Sequence, residues 1–239
     1  MRRHDTARAR RAPRGWDRLA TGWTGPSLLA LGALGAVALT NLLDFGAYDM
    51  RYAILNANSS ASWSHGVVAG ALALGAIVCL LGAVRLARRR LAWVLAAAIL
   101  ALFFADEVSG LHAHIDALSS ADAVGYGKLL YAPILIGLVV CLARLQIGAA
   151  HARTLWAGAA LLLASYAIHV LNPHDIARHL GWSADSWPFE ITVALKEGFE
   201  LAGMLVMLAA LAGAAFARGA GIERRGRSGA RRLMEGEAT

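Results

Sequence analysis

The segment "FFADEVSGLHAHID", residues 103–116, brings Asp106, Glu107, His112 and His114 together at the end of an apolar run. A second segment, "ALKEGFELAG" at 194–203, carries Lys196, Glu197 and Glu200. Three chemistries suit such a set. Carboxylates with a histidine can bind a divalent metal, zinc or iron. Carboxylates and imidazoles inside a membrane can pass protons. Lys196 can also neutralise a carboxylate, so that the charges only clamp two helices together. All three stay open at this point. On helices of 3.6 residues per turn, Asp106, Glu107, Gly110 and His114 share one broad face, while Asp106, Ser109 and His112 form a ladder. Glu107 and His114 are about 10 Å apart along that helix, too far to ligate one ion directly. Glu197 and Glu200 converge at i, i+3, and Lys196 can reach Glu200 at i, i+4. Glu107 and Glu200 are the foremost ligand or base candidates. Asp106, His112 and Glu197 complete the metal set, with His114, His169 and Lys196 in support.

The elements that hold these groups are helices in a membrane. The 239 residues are 58% hydrophobic, with a mean hydropathy of +0.52 and apolar residues in long blocks. Six spans are expected, at 26–45, 64–85, 91–113, 127–145, 154–171 and 188–217, in an all-α polytopic bundle. Pro188 suits the first turn of the last span, and Glu190 its positive dipole end. Gly66 with Gly70, and Gly198 with Ala202, have the small-xxx-small spacing of close helix contacts. Residues 1–25 and 218–239 are expected to be disordered basic tails, because arginine, glycine and small residues cannot bury a core.

Arginine sets the orientation. Both tails, "RLARRR" at 85–90, Arg144 and Arg153 fall on one side, whereas the other holds Arg51, Lys128 and Arg178. By the positive-inside rule both termini are cytoplasmic, and the chain belongs in a bacterial inner membrane. The net charge of +7 then serves topology rather than nucleic-acid binding. The run beginning at Pro26 is too long, and lacks a cleavage site, for a removable signal peptide. Cys79 and Cys141, each inside an apolar run, read as small core residues.

The intramembrane polar groups then gather on the outer side. Counting from the cytoplasmic arginines puts Asp106 and His169 about 24 Å up and Glu200 about 27 Å up, one layer below the edge of a core of about 30 Å. Asn41, Asp44 and His65 lie near that level, and the inner halves of the spans are nearly free of polar residues. Groups so near an interface can also snorkel without any function. Histidines such as His65 and His169 could ligate haem only if opposed at one depth. The Asn-Pro in "HVLNPH" at 169–174 reads as a turn.

Asp106, Glu107 and His112, with Glu197 and Glu200, resemble a pattern of uncharacterised bacterial six- or seven-helix membrane proteins. Those proteins have Asp-Glu-x4-His-Glu at the end of one span and Glu-x-x-Glu near the start of the last. Ala113 stands where the pattern has its second glutamate. The resemblance covers two spans and implies no activity. Alkaline ceramidase-type membrane hydrolases, with dispersed His and Asp ligands, are a looser likeness. The expectation is therefore an outward-facing pocket between spans three and six, in a metal- or proton-handling protein, with a lipid hydrolase as one form of it. An ion-coupled transporter and a clamped structural subunit are the alternatives. The expected partners are the bilayer and a lipid or small-molecule ligand, not nucleic acid, with the oligomeric state open.

Overall fold

A computed structural model describes residues 24–57, 59–86, 89–111, 126–145, 147, 149–171, 173–183 and 186–217. These residues form seven helices and no strand: α1 (Thr24–Tyr48), α2 (Trp63–Arg85), α3 (Arg90–Ser109), α4 (Tyr126–Arg144), α5 (Ala149–Leu171), α6 (Pro173–His179) and α7 (Trp187–Ala217). Five of them, α1, α2, α3, α5 and α7, are long and apolar enough to cross a membrane, and the protein is a helical membrane protein. The apolar part of α4, Ala132–Arg144, is shorter. The two tails lie outside the described residues, apart from positions 24 and 25.

Most helix ends fall close to the apolar boundaries. α3 is the instructive exception, because it closes at Ser109 rather than at 113. Gly110 adopts a left-handed conformation (φ 62°) and turns its N–H onto the Asp106 carbonyl at 2.7 Å. Glycine alone enters that region without a Cβ penalty, so it ends the helix although the apolar pattern runs on. α5 starts at Ala149, earlier than the apolar run, because alanine and arginine favour a helix without being buried. Pro173 opens the short helix α6 where a turn was expected, since proline is tolerated at a first helical position.

α7 is the hub. It packs against α5, α1 and α2; α2 packs against α3, and α3 against α4. Contacts give the directions. Asn41 of α1 meets Glu190 of α7, and Leu34 meets Gly198, so α1 and α7 are antiparallel. Gly82 meets Trp93, and Gly75 meets Leu100, which makes α2 and α3 antiparallel. Arg85 lies over the Phe216 ring at 4.9 Å, joining the far ends of α2 and α7. Thr24 and Ala217 therefore fall at the same end of the bundle, opposite His65.

The Gly198 approach matches its expected role: a Cβ there would lie 2.9 Å from the Leu34 side chain. Gly66 and Gly70 face open space instead, so they bring no helices together. A backbone-to-backbone approach lies elsewhere, where Gly158 of α5 and Gly203 of α7 interlock.

Near the His65 end, a hydrogen-bonded clasp holds α1 to α7. Asn41 is fully buried. Its Nδ2 donates to Glu190 Oε2 at 3.0 Å, and its Oδ1 accepts from the Ala57 N–H at 2.7 Å. Asn41→Ala removes the donor to Glu190 and the acceptor of the Ala57 N–H, two buried hydrogen bonds at once. A loss of about 1–3 kcal/mol is expected, read by thermal unfolding of the purified protein. A change under a few tenths of a kcal/mol would mean that water replaces the asparagine freely.

Candidate functional site

The site is built from the first turn of α2. Ser62 caps this helix, its side chain accepting the His65 N–H at 3.3 Å. The Trp63 indole donates to Thr40 Oγ1 of α1 at 3.1 Å. His65 is thus fixed at a helix start with its ring directed inward. Its Nδ1 is hydrogen-bonded to Glu107 Oε1 of α3, and its Nε2 lies 3.7 Å from Glu197 Oε2 of α7. The other oxygen of Glu197 accepts from Lys196 Nζ at 2.5 Å. Glu197 is almost wholly buried, at 3% exposure. Such a carboxylate is tolerable because an ammonium and an imidazole flank it.

α3 and α7, between which the sequence placed a pocket, are not packed directly against each other. The two helices face each other with His65 of α2 spanning the gap, and a cavity of about 180 Å³ lies beside it. Its polar wall comes from four helices: His65; Asp106 and Glu107; Tyr166 and His169; Lys196 and Glu200. Leu72, Leu138, Leu162 and Met204 make an apolar floor. Leu72 lies about two turns beyond His65, and Met204 about one turn beyond Glu200, so the floor sits deeper in the bundle than the charges.

Of the residues singled out in the sequence, Asp106, Glu107, His169, Lys196 and Glu200 border this one cavity. Glu197 stands behind it, tied to Lys196 and His65. His112 and His114 lie outside the described residues. The pairing expected between Lys196 and Glu200 gives way to the bond between Lys196 and Glu197. Glu200 makes no hydrogen bond or salt bridge with another described residue, and it faces the cavity. Among the described residues, no three of His, Cys, Asp and Glu are arranged to hold a metal ion. The remaining histidine of the expected metal set, His112, is not among them.

His65, Ser165 and Tyr166 were not among the expected site residues. The signal for His65 was present in the serine cap of "SWSHG" and in its position at the polar level. Its two carboxylate partners come from helices remote in sequence, which no periodicity reveals. Ser165 and Tyr166 precede His169 by about one turn, so they share its face of α5.

The chain belongs to the family described as a domain of unknown function (DUF8692), whose family model matches residues 23–214, from α1 into the last turn of α7. No curated protein and no solved structure matches it.

Proposed function

We propose that this family member is an acid–base protein of the bacterial inner membrane, with six spans and cytoplasmic tails. In this reading α4 also crosses the membrane, as the fourth of the six spans, and the cavity faces outward. His65 and Glu107 are the proton-exchanging pair. The observation that carries the proposal is the engagement of both His65 ring nitrogens by carboxylates of different helices at a cavity wall. A carboxylate on one nitrogen fixes the ring and its tautomer, leaving the other to exchange a proton. Here Glu107 orients Nδ1, and Nε2 faces Glu197 at 3.7 Å, on a ring that borders the cavity. With a carboxylate at each nitrogen the ring favours its protonated form, so the pair suits giving a proton to a leaving group in the cavity and recovering it from water, a step a hydrolase of a lipid-like ester or amide needs. The apolar floor supports a local site rather than a polar path through the bundle, which weighs against a transporter. A zinc or iron centre would need ligands beyond the described residues.

The alternative is a structural clamp. It is favoured by the way His65 ties α3 to α7, which do not pack against each other. Histidine-selective nitrogen NMR of the full chain in bilayers separates the two. In the acid–base protein the His65 ring changes protonation state within the pH range where the protein stays folded, and Glu107→Gln and Glu197→Gln both alter that titration. A ring locked in one state throughout that range, in parent and variants alike, leaves only the clamp.

A further inference from the structure

We infer that the cavity receives the head group of a single-chain cationic amphiphile, an amine on an apolar chain, which enters sideways from the bilayer between α4 and α5. The inference rests on the acid–base reading of the same cavity and adds its ligand class.

The charges point to a cation. His65 engages Glu107, and Lys196 engages Glu197. Asp106 and Glu200 add two further carboxylates to the same wall; Glu200 makes no hydrogen bond or salt bridge to any described residue, and Lys196, which attracts it, is held by Glu197. A carboxylate at such depth needs a proton or a cationic partner, and a ligand ammonium supplies the latter through a charge-assisted hydrogen bond. A phosphate-bearing head group would meet the Glu107 and Glu200 carboxylates, which argues for a simple amine over a phospholipid.

The shape points to a chain. A volume of about 180 Å³ is on the order of the 150 Å³ that accommodates a benzene ring in an apolar protein cavity. It holds a head group and a few carbons, so the rest of a longer chain must leave the bundle. The exit follows from the packing. α4 leans on α3, and α5 leans on α7, but α4 and α5 touch each other only sparsely. Both contribute to the cavity wall, Leu135 and Leu138 from α4, Leu162 and Ser165 from α5. Ile136 and Val140 of α4 and Leu163 of α5 expose apolar side chains to the surroundings. A chain passing between these helices would run from the apolar floor into hydrocarbon without crossing a polar surface.

The test uses the full chain in phosphatidylcholine nanodiscs, with decylamine, decanol and butylamine as probes and empty nanodiscs as the partition control. Binding is read by tryptophan fluorescence. Decylamine is expected to bind at least about tenfold more tightly than either decanol or butylamine. In Glu200→Gln, checked by its melting curve, the decylamine and decanol affinities are expected to converge. Leu135→Trp, which fills the α4 side of the exit, is expected to weaken decylamine binding. Equal affinity of the parent for decylamine and decanol overturns the inference. So does an amine preference that survives in both Glu200→Gln and Glu107→Gln. Either result beside a His65 titration that responds to Glu107→Gln overturns the amine ligand and leaves the acid–base reading in place. Amine preference beside a locked His65 overturns the acid–base reading instead.

Discussion

Lys196→Met is expected to cost the folded protein about 3–5 kcal/mol, the penalty for leaving one member of a buried ion pair alone. Lys196 Nζ lies 2.5 Å from Glu197 Oε1, and Glu197 is 3% exposed. Without the ammonium, that carboxylate keeps only the imidazole of His65, at 3.7 Å. The methionine itself fits the space of the lysine stem, so packing does not explain the loss. Lys196→Met combined with Glu197→Gln removes the stranded charge and is expected to recover most of the stability, since a neutral pair carries no such desolvation penalty. Unfolding in mild detergent, for the parent, both single variants and the double variant, gives the coupling directly. A double variant no more stable than Lys196→Met would show that Glu197 is not what the lysine supports.

Gly203→Val is expected to separate α5 from α7. A Cβ at Gly203 would lie 2.8 Å from Leu162 Cγ and 2.9 Å from both the Gly158 carbonyl oxygen and the Leu162 nitrogen. At Gly158 it would lie 2.8 Å from the Gly203 oxygen and the Met207 nitrogen. Backbone atoms cannot turn aside as a side-chain tip can, so the helices themselves must shift. Overpacking of this kind costs about 1–3 kcal/mol and more where the backbone is the obstacle. Because α5 carries Tyr166 and His169 and α7 carries Glu200, the same shift would distort the cavity. Gly70→Ala is the control: open space surrounds that position, so helix propensity makes it neutral or slightly stabilising. Comparable melting temperatures for Gly203→Val and the parent would refute the interlock.

The helices were legible because a bilayer imposes one demand everywhere, an apolar stretch that satisfies its own backbone. Positions where that demand conflicts with local backbone preference were not. Gly110 ends α3 within a pattern that continues, and Pro173 starts a helix where asparagine and proline suggested a turn. The polar level was legible by counting residues from the arginines, which put Asp106, His169 and Glu200 at similar depth. Lateral placement was not, because depth does not say which helices are neighbours. The expected pocket between spans three and six therefore left out α2, whose His65 meets a carboxylate of each. The same gap explains the glycines. Gly66 and Gly70 have the spacing of a contact without facing a helix, whereas Gly158 and Gly203 make the contact from different helices, beyond the reach of any spacing rule.

The early closure of α3 at Gly110 leaves Asp106 and Glu107 in its last turn. Aligned peptide dipoles give a helix about half an elementary negative charge at that end, so acidic side chains there work against the helix that carries them. Glu197 and Glu200 lie well inside α7, beyond the opposing field of its first turn. The carbonyl end of α3 thus adds its own negative potential to the cavity, in a setting where dissolved salt screens weakly. α3 contributes to the field at the cavity with its backbone as well as with Asp106 and Glu107.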